Sequence, residues 1–280
     1  MYKRKPEWLR TKMQNSGVSQ EVKSIISNLS LNTVCDEASC PNRMECFERG
    51  TATFMILGNN CTRNCRFCDV TNAKPDPVSE SEAKNIAKAV KQLKLNHIVI
   101  TSVTRDDLED QGANQFRKVV EEIRKTSPDV SIELLIPDMQ GNEDLIDIII
   151  DSEPDILNHN IETVPALYDK VRPMAIFDRS IEVLNYVKQA KPHMRTKSGA
   201  MLGLGETKEQ MIEVFKRLRE VDCDMLTLGQ YLQPTTSHIP VEEYITPEQF
   251  DEYKEIALDM GFKKVASGPL VRSSYYAENF

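Results

Sequence analysis

From residue 51 onward, short apolar segments alternate with amphipathic ones, and this alternation limits the possible folds more than any other feature of the sequence. The predicted strands are residues 52–58, 97–103, 131–137, 155–162, 197–204 and 224–230, with a further apolar segment at 262–267. Between them, apolar residues recur at helical spacing, as at Phe116, Val119 and Ile123. Strand–helix alternation predicts parallel strands joined by crossover helices. The pattern alone does not separate a barrel from a doubly wound open sheet.

A cysteine triplet directly follows the first of these strands. Cys61, Cys65 and Cys68 have C-x3-C-x2-C spacing. Thiolates prefer iron–sulfur clusters, zinc or copper(I). Structural zinc is closed by four ligands, and ordinary iron–sulfur clusters by four cysteines. Three thiolates on a four-iron cluster therefore leave one iron open to an exogenous ligand. A zinc knuckle completed by a distant Cys or His is the alternative, whereas three thiols cannot all pair in disulfides.

A second triplet precedes the first strand. Cys35, Cys40 and Cys46 have C-x4-C-x5-C spacing. Each triplet is compact enough to serve its own metal centre, and one shared centre with six thiols is the alternative geometry. Seven cysteines without an export signal indicate metal or redox chemistry in a reducing compartment rather than disulfides.

Charge and hydropathy exclude several classes of function. The net charge of −8 argues against nucleic acid as the main partner. No apolar run approaches the ~20 residues that a membrane helix needs, and the charged N-terminus lacks the apolar core of a signal peptide. We therefore expect a cytoplasmic protein. A basic cluster near the N-terminus is either a solvated arm or a docking surface for an acidic partner; it comprises Lys3, Arg4, Lys5, Arg10 and Lys12.

The first triplet, with Phe67 before its last cysteine, resembles the C-x3-C-x-aromatic-C signature of the radical S-adenosylmethionine (radical SAM) enzymes. The resemblance implies an α/β fold, an incomplete (β/α)6 TIM-type barrel with N-terminal and C-terminal extensions. It divides the chain into residues 1–50 with auxiliary cluster ligands, a partial barrel at 51–267, and a C-terminal segment at 268–280. It also implies that the first triplet holds a [4Fe–4S] cluster whose open iron binds S-adenosylmethionine, and that Phe67 lies beside the adenine.

Polar residues near the predicted strand ends are candidates for binding this cofactor. Because ligands gather beyond the carboxyl ends of parallel strands, we hypothesise that Arg105, Glu162 and Lys197 hold polar groups of S-adenosylmethionine. The segment from Gly199 to Glu206 also resembles the family's G-x-I-x-G-x-x-E element. That resemblance implies that Gly203 and Glu206 belong to a wall near the adenine.

Motifs along nearly the whole chain resemble one family of radical SAM enzymes, the lipoyl synthases. They are residues 5–9, 34–46, 52–68, 104–108, 157–163, 202–207 and 268–275. The paired cysteine triplets and the terminal Arg-Ser-Ser-Tyr at residues 272–275 are the most specific of these. Phe47 and Tyr276 depart from the residues usual in the family, but neither position is a ligand.

This second resemblance implies two [4Fe–4S] clusters and a sulfurtransferase in protein lipoylation. Cys35, Cys40 and Cys46 would hold the auxiliary cluster, with Ser274 as fourth ligand and Ser273 as the fallback. Two deoxyadenosyl radicals would abstract hydrogens at C6 and C8 of a protein-bound octanoyl-lysine. Each carbon radical would then take a sulfur from the auxiliary cluster, giving lipoyl-lysine.

The implied partners are octanoylated lipoyl carrier domains, namely 2-oxoacid dehydrogenase acyltransferase subunits and the glycine cleavage H protein. An electron donor such as ferredoxin or flavodoxin and an iron–sulfur carrier for cluster repair are also implied, with no nucleic acid or membrane partner. Two other functions stay open. One is a radical SAM enzyme whose auxiliary cluster is not consumed, and the other is an electron carrier or zinc-stabilised binding module.

Overall fold

The architecture comes from a computed structural model that describes residues 4–10 and 17–277. The strands are β1 (Asn32–Thr33), β2 (Thr53–Ile56), β3 (Asn60–Cys61), β4 (Thr71–Asn72), β5 (His97–Ser102), β6 (Ser131–Leu135), β7 (Ile156–Asn158), β8 (Arg195–Leu202), β9 (Met225–Gln230) and β10 (Lys264–Gly268). The α-helices are α1 (Gly17–Asn28), α2 (Val34–Glu37), α3 (Arg43–Glu48), α4 (Glu82–Gln92), α5 (Ala113–Thr126), α6 (Glu143–Ile150), α7 (Tyr168–Val171), α8 (Phe177–Ala190), α9 (Lys208–Glu220) and α10 (Pro247–Asp259).

One sheet of eight strands, in the order β1-β2-β5-β6-β7-β8-β9-β10, forms the centre of the molecule. The seven strands from β2 to β10 in this order pair in parallel, and only β1 is antiparallel to its neighbour. Among the described residues β1 and β10 are the two edges of this sheet, so the barrel is open. The predicted α/β partial barrel is confirmed, with six strand–helix units followed by a seventh parallel strand.

The helices form where the sequence supplies both an apolar face and a cap. Helix α5 buries Phe116, Val119 and Ile123 against the sheet. Helices α9 and α10 each begin with a capping box. A Thr side chain accepts from the backbone N–H of the third helical residue, a Gln, whose side chain accepts from the backbone N–H of the Thr. Gly261 follows α10 with φ +95°, a conformation that costs glycine little.

The strand predicted at 155–162 ends early, at Asn158. Beyond it the chain leaves the sheet, and Glu162 returns in a single bridge to Ala200 with the positive φ of 65°. Few side chains adopt this left-handed conformation without support from their surroundings. The carboxyl end of β7 is therefore a tight polar turn rather than a continued strand.

The N-terminal extension joins the barrel instead of standing apart from it. Strand β1 pairs with β2, and α1 contacts both α3 and α4. Of the predicted basic cluster, Lys3 and Lys12 lie outside the described residues. No helix within the described ranges is both long enough and apolar enough to span a membrane.

Candidate active site

A cavity of about 850 Å³ opens at the carboxyl ends of the parallel strands. The segments that follow β5, β6 and β7 line it through Thr104, Ile136 and His159, and the loop after β9 covers it through Tyr231. Parallel αβ sheets place ligands at this edge because the strand-to-helix loops converge there. The volume is in the range of a site for small molecules.

The first cysteine triplet lies on the loop after β2, and Cys61, Cys65 and Cys68 all line the cavity. Backbone N–H groups point at the sulfur of Cys61, from Arg63 at 3.5 Å and Thr104 at 3.3 Å. The pKa of Cys68 is raised to about 12, mainly by burial and also by the neighbouring thiols Cys65 and Cys61. N–H donors around sulfur are among the protein's means of tuning a thiolate-bound centre.

Arg63, which lies between Cys61 and Cys65, attaches the loop to the barrel. This role was not predicted from the sequence. Its Nε and Nη2 donate to both carboxylate oxygens of Asp106, at 2.7 and 2.8 Å. Nη2 also lies 2.8 Å from Oδ1 of Asp138, which is fully buried. A planar guanidinium fits such bidentate contacts better than a lysine would. The only signal in the sequence was an arginine between two cysteines, which by itself predicts nothing.

Arg105, predicted to bind cofactor, supports the loop that carries the cysteines and is not part of the cavity lining. Its guanidinium pairs with Asp107, with Nε 2.8 Å from Oδ1, and donates to the carbonyl oxygen of Leu57 at 3.2 Å. Glu82 accepts from the N–H of Leu57 at 3.1 Å. Leu57 has φ 70°, so these two contacts hold a strained residue at the exit of β2.

The second triplet lies on the other side of the cavity mouth, on α2, α3 and the turn between them. Cys35 and Cys40 line the cavity, whereas Cys46 lies in α3 and is half-buried. The pKa of Cys35 is raised to about 12, mainly by burial and also by the neighbouring thiols Cys40 and Cys46, while the N–H of Thr53 on β2 opposes the rise. The thiols thus interact within each triplet, which supports two separate centres.

The terminal Arg-Ser-Ser-Tyr motif packs between this triplet and the barrel. Asn42 donates to the carbonyl oxygen of Leu270 at 2.6 Å, and the hydroxyl of Tyr275 donates to Glu45 at 2.8 Å. The Thr53 hydroxyl donates to Oγ of Ser274 at 2.7 Å. Because the N–H of the same Thr53 binds the Cys35 sulfur, Ser274 lies beside the second triplet.

Two further predicted residues face the cavity. Phe67 and Glu162 both line it, with Glu162 close to Arg172. Burial raises the pKa of Glu162, while the Arg172 charge and a hydrogen bond from Asn160 oppose the shift. The Arg172 charge also opposes the rise in the pKa of Cys65 that burial causes, so Arg172 is a buried cation beside the first triplet.

Lys197, Gly203 and Glu206, which were predicted to contact the cofactor, are not among the residues that line the cavity. Lys197 is fully buried deeper in the barrel and donates to Glu133, with Nζ 3.0 Å from Oε1. Glu206 accepts from the N–H of Gly203 at 2.6 Å and so closes its own turn. A Cβ on Gly203 would lie 2.3 Å from the Gln230 amide, so this glycine is needed for packing.

Two histidines, His159 and His238, line the cavity. Nδ1 of His159 lies 2.9 Å from the carbonyl oxygen of Ile136, which only accepts, so this nitrogen carries the proton. Burial lowers the pKa of His159 to about 4, which keeps the ring neutral. Its Nε2 has no partner within the described part of the chain. Nε2 of His238 lies 3.0 Å from the carbonyl oxygen of Cys68.

The chemistry of the donors fits iron–sulfur clusters. In the stretches 4–10 and 17–277, no three Cys, His, Asp or Glu side chains surround a point where one metal ion would bind all of them. The thiolates of a four-iron cluster bind different irons, so they need not converge on a single position. Half-buried thiols that receive backbone N–H bonds, at the mouth of one cavity, are suited to such clusters.

Comparison with known proteins agrees with this chemistry. Residues 55–218 match the family model of the Radical SAM superfamily. A protein of Caldanaerobacter subterraneus named lipoyl synthase is 54% identical, over 98% of this chain and 96% of its own length. A lipoyl synthase of Alkaliphilus metalliredigens is also 54% identical, over 98% of this chain and 95% of its own.

Solved structures share the fold at low identity. Streptococcus suis SuiB bound to S-adenosylmethionine superposes with a TM-score of 0.62 at 14% identity, over 89% of this chain and 60% of that one. Methylornithine synthase superposes with a TM-score of 0.54 at 16% identity, over 89% of this chain and 81% of that one. These likenesses bear on the barrel alone.

Proposed function

Because the chain belongs to the lipoyl synthase family of the radical SAM superfamily, we propose that its two cysteine triplets and Ser274 carry out sulfur insertion in one shared cavity. The function is lipoyl synthesis, an enzymatic sulfur insertion, and the cofactors are [4Fe–4S] clusters and S-adenosylmethionine. Its substrates are lipoyl carrier proteins, and the reaction needs an electron donor. Unactivated C–H bonds offer no acidity to a general base, so the cofactors supply radical cleavage and sulfur.

The first triplet is the proposed site of the cluster that binds S-adenosylmethionine. Cys61, Cys65 and Cys68 lie on one short loop at the cavity, and Phe67 beside them offers an apolar face for a purine. Arg172 brings a positive charge close to both Cys65 and Glu162. The carboxylate of Glu162 is a suitable acceptor for a cofactor amine or ribose hydroxyl, and Arg63 holds the loop in place.

The second triplet with Ser274 is the proposed site of the sulfur-donating cluster. The observation that carries this proposal is Thr53, which donates its N–H to Cys35 and its hydroxyl to Ser274. A serine oxygen is a harder ligand than thiolate and is less well matched to iron in a sulfur-rich cluster. Such a ligand is suited to release when the cluster is dismantled.

The finer partner assignments extend this proposal. The carriers are 2-oxoacid dehydrogenase acyltransferase subunits and the glycine cleavage H protein, bearing an octanoyl chain on lysine. The electron donor is ferredoxin or flavodoxin, and an iron–sulfur carrier restores the consumed cluster. Residues 1–50 and 268–280 supply the auxiliary site to the barrel of residues 51–267. Contacts such as Asn42 with Leu270 support this division of roles.

Mass spectrometry of an octanoylated carrier peptide tests the proposal directly. After anaerobic reaction with S-adenosylmethionine and reductant, we expect deoxyadenosine and a peptide with two added sulfurs. Replacing Cys35 should abolish sulfur addition but leave deoxyadenosine formation. Replacing Cys65 should abolish both. Sulfur addition with an intact auxiliary cluster after turnover would favour a radical SAM enzyme whose second cluster is not consumed.

A further inference from the structure

A chain of hydrogen bonds runs beneath the cavity floor to the first serine of the terminal motif. Inside the barrel, Lys197 donates to Glu133, with Nζ 3.0 Å from Oε1. Nδ2 of Asn158 donates to the same Oε1 at 2.7 Å and also to Oγ of Ser273 at 3.0 Å. Ser273 then donates to Oδ1 of Asn160 at 2.9 Å.

Ser273 both donates and accepts within this chain of hydrogen bonds. A serine hydroxyl has one hydrogen to donate, and that hydrogen goes to Asn160. Its oxygen accepts from Asn158, whose amide has two hydrogens and directs the other to Glu133. Ser274 instead receives one hydrogen bond, from the Thr53 that also binds Cys35. The two neighbouring serines therefore face different partners, Ser273 the barrel and Ser274 the second triplet.

We propose that Ser273 is a positioning residue, which fixes the terminal segment to the end of β7 so that Ser274 faces the auxiliary triplet. This inference rests on the proposed function, which makes Ser274 the fourth ligand of that cluster. It also gives a role to the buried pair of Lys197 and Glu133. Both side chains are fully buried, and the pair fixes the carboxylate that orients Asn158.

Two glycines provide the space in which the segment is held. A Cβ on Gly199 would lie 2.8 Å from Oδ1 of Asn160, the acceptor of the Ser273 hydrogen. A Cβ on Gly229 would lie 2.0 Å from the carbonyl oxygen of Val271 and 3.2 Å from the Arg272 guanidinium. The distances of 2.8 Å to Asn160 and 2.0 Å to Val271 are too short for a Cβ, so both positions need glycine. The barrel is thus shaped to receive Val271 and Arg272, the residues just before and at the start of the terminal motif.

Hydrogen exchange of the apo protein tests the positioning role without any cluster. In the full chain, Ser273→Ala should make the amide hydrogens of residues 269–275 exchange about tenfold faster, since it removes two hydrogen bonds. Ser273→Thr keeps the hydroxyl and should restore protection. Ser267→Ala is the matched control, because it removes the hydrogen bond from Ser267 in β10 to the carbonyl oxygen of Phe250 in α10. Equal exchange of residues 269–275 in Ser273→Ala and wild type would overturn the inference.

Spectroscopy of the auxiliary cluster separates the positioning role from ligation. In the full chain with Cys61, Cys65 and Cys68 replaced by Ala, the reduced auxiliary cluster should be the only source of an electron paramagnetic resonance signal. Ser274→Ala should change that spectrum completely. Ser273→Ala should give a mixture of the wild-type and Ser274→Ala spectra, and Ser273→Thr the wild-type spectrum.

The two experiments distinguish failure of the inference from failure of the proposed function. A wild-type spectrum for Ser274→Ala, with a completely changed one for Ser273→Ala, would make Ser273 the ligand and overturn the inference while leaving sulfur insertion untouched. Absence of two-sulfur product from the wild-type chain would instead reject the proposed function. The exchange result on the apo protein would still decide whether Ser273 holds the segment.

Discussion

Thr53 is the residue at which the two ends of the sequence meet the barrel. It begins β2, its N–H binds Cys35, and its hydroxyl donates to Ser274. These partners lie 18 positions before it and 221 after it in the sequence. A threonine at the start of a strand has no distinctive sequence signal. Its contacts depend on where the two extensions fold back, which no local pattern encodes.

Ser274 gives the most specific prediction at the scale of residues. Ser274→Ala and Ser274→Cys should both reduce formation of the two-sulfur product by about 100-fold or more. Alanine removes the labile oxygen, and cysteine replaces it with a thiolate that iron binds more firmly. Deoxyadenosine formation should persist in both variants, because the first triplet is intact.

Liquid chromatography with mass spectrometry measures both products in one sample. Ser237→Ala is a suitable control, since Ser237 also lines the cavity but belongs to the loop after β9. Full sulfur insertion by Ser274→Cys would show that a labile oxygen ligand is unnecessary.

Asp138 links the first cysteine loop to the pH dependence of stability. Burial opposes its ionisation, but hydrogen bonds and charge from Arg63 prevail and lower its pKa from 3.8 to about 2. A carboxyl group whose pKa is lower in the folded than in the unfolded protein contributes stability at pH values above its unfolded pKa. This contribution is lost as the pH falls through the pKa of the folded protein. The contribution at neutral pH is roughly 2 kcal/mol.

Denaturant unfolding of the apo protein measures this contribution. The difference in unfolding free energy between wild type and Asp138→Asn should be constant above about pH 4 and should shrink as the pH falls towards about 2. Asp129→Asn, at an exposed position, is the control. A difference between wild type and Asp138→Asn that does not change with pH would contradict the account of Arg63.

At the scale of elements, the sequence predicted the barrel better than its attachments. Strands buried on both faces, such as β2, β6 and β9, appear in the sequence as short apolar runs between amphipathic helical segments. Strand β1 has only two residues, so no periodicity could reveal it. The cofactor role predicted for Lys197 also rests on its position in the sequence alone. Periodicity gives the face of β8 on which a residue lies but not its depth in the barrel.

The terminal segment depends on a glycine of β9. Gly229→Ala would put a Cβ 2.0 Å from the carbonyl oxygen of Val271, so the segment must move. In the variant that lacks Cys61, Cys65 and Cys68, we expect the auxiliary iron content after reconstitution to fall from about four atoms to about one. With the second triplet replaced instead, loading of the first triplet should not change.

Gly17→Ala in α1 is the matched control for this prediction, because no atom lies within 4 Å of the added carbon. Iron and sulfide analysis after anaerobic reconstitution gives the readout. Full auxiliary iron content in Gly229→Ala would show that the terminal segment does not contribute to the site.

At the scale of the whole molecule, three distant parts of the chain build one cavity. Cys40, Cys65 and Ser274 all line it, although they come from the N-terminal extension, the barrel and the C-terminal segment. The sequence contained the two triplets and their spacing. That they share a cavity follows only from the barrel, which brings the loop after β2 and the terminal segment to one edge of the sheet.

Iron stoichiometry tests this arrangement for the whole chain. The reconstituted wild type should hold about eight irons, and each variant lacking one complete triplet should hold about four. Replacing a triplet should not disturb the other, since the thiols interact within each triplet. Total content of about four irons in the wild type would mean that one cluster is shared or that one triplet is not a ligand set.

The most direct test of the central claim is a single turnover of protein whose clusters were rebuilt with ³⁴S-sulfide. The account predicts a carrier peptide in which both added sulfurs are ³⁴S, no more than one such product per chain, and loss of the auxiliary cluster signal. Unlabelled sulfur in the product, or labelled product from a chain in which Cys35, Cys40 and Cys46 are replaced, would contradict it.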